Sequence, residues 1–319
     1  MPDLRRTSSR SWCRGVLVLV LLSLALVRTA TAASPPASKD SSATYHSSAS
    51  EVRLVLFATD EHNRPVEDLQ QDDFAVIDNE WVIRSFRGFY GSKEGRLDVI
   101  ILLDSSESNL PRFRAQVAEV RQLVELWPWA GEDRVSLISF GGTEPHVVCA
   151  ETCRSSLPGV DDIVSRPHGG ATPLFDAVFL AARTLAQRRQ PDVWPLIVLF
   201  SDGNDTVSLR SLPEALDSVL ASGAQVYGVD TSDPAHASSG TSLLQKLADD
   251  SGGRRLPFSA GTDTVLRNIL DDLHSARVVT YALPGSSGDF HAIRILPSRN
   301  LKLQFRCRSG YYQHSYGPR

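Results

Sequence analysis

The sequence predicts an α/β protein, a doubly wound and mostly parallel sheet inserted between two β segments that pack together as a small sandwich-like module. Three observations carry this prediction. Two continuous apolar runs, Val99 to Leu103 and Leu196 to Phe200, have the unbroken hydrophobicity of strands buried on both faces. Between about Leu97 and Ala276, strand-like runs alternate with helical stretches in the manner of βαβ units. On either side of that block the pattern changes to short, alternating strands.

The first element is a leader. Arg5, Arg6, Arg10 and Arg14 precede the apolar run Val16 to Val27, which is followed by Ala30-Thr31-Ala32. That charged, apolar and small-residue order predicts a secretory signal peptide over 1–32, cleaved after Ala32. The run is too short for a membrane span, so no span is expected after cleavage; an uncleaved N-terminal anchor is the alternative. Arg5-Arg6 lacks the surroundings of a twin-arginine signal. The expected location is outside the cell, or in a periplasm or cell envelope.

Cleavage removes five Arg and one Asp and takes the formal net charge from -4 to -8. An acidic chain without a Lys/Arg-rich run is not expected to bind nucleic acid. At 319 residues, 42% hydrophobic and 22% charged, it has enough chain for one large or two modest domains.

Residues 33–50 are rich in Ser, Ala and Pro with no apolar period and read as a flexible linker. The N-terminal β segment, 51–96, holds a half-exposed strand from Glu51 to Thr59, a turn over Asp60 to Arg64, and strands at Phe74 to Asp78 and Trp81 to Phe86.

The central block, 97–276, begins with the Val99 strand and a helix near Pro111 to Leu126. A strand follows at Arg134 to Phe140, with a hairpin partner around His146 to Cys149. Gly169-Gly170-Ala171-Thr172-Pro173 then opens a helix over Leu174 to Arg188; Pro173 suits the first helical position, with Thr172 as cap. After the Leu196 strand come a helix near Leu212 to Ser222 and a strand at Gln225 to Val229. A helix near Ser242 to Asp250, a short strand at Arg254 to Pro257 and a helix from Thr262 to His274 complete the block.

The C-terminal segment, 277–319, returns to β, with strands at Val278 to Leu283, His291 to Ile295 and Leu301 to Arg306 and a closing tail through Tyr312. Neither flanking segment is long enough to bury a core alone, which is why they are expected to share one.

The chemistry concentrates where apolar strands end. Asp104-Ser105-Ser106-Glu107-Ser108 follows the Val99 strand, and its carboxylate and hydroxyls are hard oxygen ligands suited to Mg²⁺ or Mn²⁺ and ill suited to zinc or copper. Asp202 follows the Leu196 strand, and Thr172 stands between them in sequence. In open α/β sheets ligands collect at the carboxyl ends of the strands.

This set resembles the metal-ion-dependent adhesion site of the von Willebrand factor type A (VWA) family. The resemblance implies that Asp104, Ser106, Ser108, Thr172 and Asp202 surround a Mg²⁺ or Mn²⁺ ion, and that an acidic side chain of a protein or matrix partner completes its coordination. The competing interpretation takes Asp-x-Ser-x-Ser as ordinary turn chemistry, Ser and Asp bonding to their own backbone.

Asp73-Phe74, Ser85-Phe86, Ser251-Gly252-Gly253-Arg254 and Arg308-Ser309-Gly310-Tyr311 give a narrower resemblance to exported VWA-related proteins abundant in acidobacteria. Thr280-Tyr281-Ala282-Leu283 departs from the tyrosine-rich strand of that family.

Two function classes compete with a metal-dependent binder: a hydrolase that uses the ion to activate water, and a structural envelope protein with an incidental ion. No Gly-x-Ser-x-Gly, phosphate-cradling glycine loop or His-Glu-x-x-His supports the hydrolase, so no enzyme activity is expected. Glu107 reads as a solvated loop residue, His168 as a solvated loop histidine or an outer neighbour of the metal, and Asp205 as a turn stabiliser or a partner of Asp202. Asp230 reads as a turn cap, and Trp127 with Trp129 as a packing anchor.

Cleavage leaves Cys149, Cys153 and Cys307 in a disulfide-permissive setting. A Cys149–Cys153 bridge with an odd Cys307 is expected, although three cysteines allow other pairings.

Overall fold

The structure is a computed structural model that describes residues 51–91, 95–154, 159–165, 169–190, 192–233, 239–285 and 290–313. The signal peptide, the linker, Cys13 and His168 lie outside the described residues.

Four strands open the fold: β1 (Glu51–Thr59), β2 (Phe74–Asp78), β3 (Trp81–Ile83) and β4 (Gly88–Gly91). The middle of the chain supplies β5 (Arg96–Asp104), α1 (Leu110–Leu126), β6 (Arg134–Phe140), β7 (Pro145–Cys149), α2 (Val160–Ser165) and α3 (Leu174–Gln187). It continues with β8 (Val193–Ser201), α4 (Leu212–Ser222), β9 (Gln225–Asp230), α5 (Ser239–Ser251), β10 (Arg254–Pro257) and α6 (Thr262–Ser275). The chain closes with β11 (Arg277–Ala282), β12 (Phe290–Pro297), β13 (Gln304–Cys307) and β14 (Gly310–Tyr312).

The central sheet runs β10-β9-β8-β5-β6-β7. All neighbours are parallel except the edge hairpin of β6 with β7. Side chains alternate between its two buried faces. Val99, Ile101 and Leu103 pack with Val117, Val120 and Leu123 of α1 and Val265 and Ile269 of α6. Ile100 and Leu102 pack with Ala177, Val178 and Ala181 of α3, Val219 of α4 and Leu244 of α5. A sheet covered on both sides has no polar face to show, which explains the continuous apolar runs.

The flanking segments interleave in two antiparallel sheets, β13-β1-β11-β4 and β14-β12-β2-β3. Leu54, Leu56 and Val279 of one sheet share a core with Phe74, Val76 and Ile293 of the other, so both ends of the described chain build a single sandwich. Phe57, Trp194, Ala276 and Val278 join it to the central sheet.

Several elements differ from expectation. The Trp81 strand stops at Ile83, and β4 is added; Gly-Phe-Tyr-Gly has no alternation to read and is placed by its pairing with β11. The last long strand begins at Gln304 and not Leu301, because a turn at Asn300 takes the N–H groups of Lys302 and Leu303. Helix α2 was not anticipated.

Thr172 does not cap α3. Pro173 occupies the cap position, and the free N–H groups of Phe175 and Asp176 donate to Asp205 Oδ1 (3.2 Å) and Ser208 Oγ (3.2 Å) of a distant loop.

Candidate metal centre

β5 and β8 are parallel neighbours, with Leu103 opposite Phe200, so Asp104 and Ser201-Asp202 leave the sheet at the same edge. From β5 the chain crosses to β6 on one side and returns through α3 to β8 on the other. The edge between them is the topological switch point, where the diverging loops leave a crevice.

Asp104 is fully buried. Its Oδ1 accepts the Ser106 N–H at 3.0 Å and its Oδ2 the Ser201 hydroxyl at 2.6 Å. Ser105 turns away from the crevice: its N–H donates to Phe140 O and its hydroxyl accepts from Ser139 at 3.1 Å, which pins the loop to β6. The Ser106 and Ser108 hydroxyls lie 3.3 Å apart, the first buried and the second exposed.

Thr172 is buried on the second loop. Its N–H donates to Thr206 Oγ1 at 2.7 Å and its carbonyl accepts from Thr206 N at 3.0 Å, while Gly170 O accepts the Glu107 N–H at 3.2 Å. The loop is thus tied to both of the others. Asp202, on the third, accepts the Asn204 N–H at 3.0 Å. Gly203 has φ +81°, and a Cβ there would sit 2.2 Å from Gly240 O; α5 therefore presses directly on the Asp202 turn.

The loops carrying the five candidates are brought together at one edge, although no direct hydrogen bond joins Thr172 or Asp202 to the Asp104 loop. Among the described residues no Lys, Arg or His pairs with Asp104 or Asp202, and no group of three or more His, Cys, Asp and Glu is placed to hold a metal. Burial pushes the Asp104 carboxyl up to about 6, helped by the charge on Asp202 and opposed by hydrogen bonds from Ser106 and Ser201. Two buried carboxylates with no counter-charge are costly as they stand. Together with the hydroxyls of Ser106, Ser108 and Thr172, on loops that leave the sheet at the same edge, they offer the hard oxygen donors that a divalent cation takes.

Two residues of the centre were not singled out in the sequence. Ser201 orients Asp104, and Asn109, fully buried, links the loop to its surroundings. Asn109 Nδ2 donates to Ser106 Oγ at 3.5 Å, and its Oδ1 accepts from Gln116 (3.0 Å) and Thr231 (2.6 Å). An Asn ahead of a helix reads as a cap, and here it faces inward instead.

Asp205 serves α3 and not the Asp202 turn, taking the Phe175 N–H and the Ser208 hydroxyl (2.5 Å). Asp230 accepts the Ser232 N–H and pairs with Arg255 at 2.9 Å. Trp127 and Trp129 stack at 4.9 Å. Glu107 is exposed. Cys149 and Cys153 are bonded, S–S 1.98 Å, and Cys307 is free and half-buried.

A parallel sheet covered by helices, with a hydroxyl and carboxylate cluster at its switch point, defines an α/β ligand-binding class. Within it, residues 99–204 match the von Willebrand factor type A domain, and all five candidates fall inside the match: the chain carries a VWA domain. The match does not extend to the features behind the acidobacterial resemblance.

No curated protein matches the chain. Among solved structures, proximal thread matrix protein 1 of the mussel byssus is 17% identical over 56% of this chain and 49% of its own, with a TM-score of 0.44. This chain spans about half the length of that protein. A crystal form of the same mussel protein has a zinc-occupied MIDAS motif (TM-score 0.44, 17% identity, 56% of this chain and 48% of that one). The manganese-loaded TRAP protein of Plasmodium vivax is 14% identical over 74% of this chain and 98% of its own, with a TM-score of 0.43.

Proposed function

We propose that this is an exported, metal-dependent binding protein in which Asp104, Ser106, Ser108, Thr172 and Asp202 hold Mg²⁺ or Mn²⁺. The observation that carries the reading is the pair of buried carboxylates, Asp104 and Asp202, without a basic partner among the described residues at the switch point of a VWA domain. A bound ion supplies an electrophilic centre that a carboxylate of a protein or matrix partner can complete.

The chain's own residues set the frame for that contact. Ser201 and the Ser106 N–H fix both oxygens of Asp104, Asn109 restrains Ser106, and Thr206 restrains Thr172. Ser108 and Glu107 are exposed on the same loop, where an incoming partner would meet them.

Binding is favoured over catalysis because Glu107, the further carboxylate on the loop, is exposed and has no side-chain hydrogen bond or ion pair among the described residues to position it. Export is supported by the leader pattern and by the Cys149–Cys153 bond, which suits an oxidising compartment. Among the described residues no helix is long and apolar enough to cross a membrane.

The test uses Mn²⁺-loaded protein and soluble poly-glutamate as an acidic probe, followed by water-proton relaxation. Saturable loss of metal-bound water as the probe is added supports the reading. Unchanged relaxation at saturating probe counts against recruitment of carboxylates.

A further inference from the structure

The opposite edge of the central sheet holds a second polar site that the VWA match does not explain. A cavity of about 90 Å³ opens at the amino ends of β8 and β9, where the sandwich meets the sheet. That is several times the space one water needs. Arg53 of β1, Arg189 just beyond α3, and Arg308 between β13 and β14 all line it. Three distant parts of the chain bring three positive charges to one place.

None of the three is ion-paired among the described residues. Arg308 Nη2 donates to the Arg53 carbonyl at 2.9 Å, and the Nε atoms of Arg53 and Arg308 are buried without partners. Asp192, whose carboxyl feels the Arg53 charge, is bonded to Arg96 instead. Trp194 and Gln225 also line the cavity, each more than nine-tenths buried, and the Trp194 Nε1 and Gln225 Oε1 atoms have no partner. A buried indole N–H without an acceptor costs stability unless something supplies one.

Burial and the neighbouring Arg189 charge bring Arg308 down to about 10.

The carboxyl ends of α3, α4 and α5 converge here, through Gln190, Ser222, Gly223 and Ser251. At roughly half a charge each, these helix ends offset about half of the three guanidinium charges. The remainder, only partly met by the exposed Asp192 carboxyl, leaves a positive cavity that suits an anion.

We propose that this cavity binds a tetrahedral, multiply charged oxyanion, phosphate or sulfate, either free or as an ester, held by Arg53, Arg189 and Arg308. Guanidinium forks suit such oxygens, and a desolvated setting strengthens the contact. The site stands roughly 25 Å from Asp202 along β8, so it is separate from the metal centre.

The experiment titrates the full chain with inorganic phosphate, sulfate, glycerol phosphate and acetate by calorimetry, with chloride holding ionic strength constant. Arg189→Gln, at an exposed position, is compared with wild type, and a Mg²⁺ titration of both monitors the distant centre. Saturable one-site binding of phosphate or sulfate, weakened at least tenfold by Arg189→Gln with Mg²⁺ binding unchanged, supports the proposal. Tighter binding of glycerol phosphate identifies the natural ligand as an ester, and tighter inorganic phosphate as the free ion. No saturable heat from phosphate and sulfate, equal binding of acetate, or an Arg189→Gln protein that binds as wild type does overturns it.

Discussion

The Ser201 hydroxyl donates a 2.6 Å hydrogen bond to Asp104 Oδ2, across the gap between two adjacent strand ends. Ser201 Oγ also accepts the Gly203 N–H at 3.0 Å, so one side chain fixes a carboxylate on β5 and shapes the turn that presents Asp202. Partners that orient a ligand typically change metal affinity by about 10- to 100-fold when removed. Ser201→Ala is expected to weaken Mn²⁺ binding by about tenfold, with circular dichroism unchanged. Wild-type affinity in the variant would show that Asp104 needs no orienting hydroxyl.

Gly203 and Gly240 are predicted to be irreplaceable together. A Cβ at Gly240 would sit 2.2 Å from Asp202 O, and Gly203 carries the positive φ. Gly203→Ala should lose about 1–3 kcal/mol from backbone strain alone, with the collision adding to it. Thermal unfolding reads the loss, and a melting temperature equal to wild type would refute the close approach of α5.

The sandwich core contains a buried polar cluster. Asp78, fully buried, accepts the hydroxyls of Tyr281 (2.9 Å) and Tyr311 (2.7 Å) on Oδ2 and lies 2.6 Å from His291 Nδ1 through Oδ1. Asp78→Ala removes the carboxylate that the Tyr281 and Tyr311 hydroxyls share, at about 1–3 kcal/mol for each buried group that loses its acceptor. Denaturant unfolding should show a drop of several such units, while a Mg²⁺ titration of the folded variant stays as in wild type. A drop no larger than that of a surface substitution would argue against the cluster.

Burial raises the phenols of Tyr227, Tyr281 and Tyr311 above the ordinary 10.0. A phenol raised on folding stabilises the fold fully below its unfolded value, and that stability drains away as pH climbs above about 10 towards the folded value. Of the 7 tyrosines, these three are expected to ionise only as the far-ultraviolet dichroism is lost. All tyrosines ionising together near pH 10 in a folded protein would contradict their burial.

Burial likewise pushes the Cys307 thiol up to about 12, so it carries little thiolate at neutral pH. Iodoacetamide at about pH 8 should leave native protein from Ala33 onward unlabelled and add one group after unfolding without reductant. Rapid native labelling would place Cys307 in solvent.

What the sequence made legible follows from where the information resides. The central strands announce themselves because double burial leaves no polar alternation, and the candidate ligands stand at their ends, where a short motif is enough to find them. Ser201 is different: its role depends on β8 lying beside β5, a long-range fact with no local sign. Thr-Pro before a helix is a local pattern that suggests a Thr172 cap, while the acceptors of the first free N–H groups of α3, Asp205 and Ser208, arrive from about thirty positions away. β4 was invisible because two of its four residues are glycines. The arginine cavity was equally hidden, since Arg53, Arg189 and Arg308 belong to segments that meet only in the folded chain.

The central claim is a single divalent-cation site built from three loops. The direct measurement is calorimetric titration of Mg²⁺ and Mn²⁺ into wild type, Asp104→Ala and Thr172→Ala, each checked for an intact fold. The account predicts saturable one-site binding in wild type that both substitutions abolish. Folded wild type that takes up neither ion, or binding that survives Asp104→Ala unchanged, would contradict it.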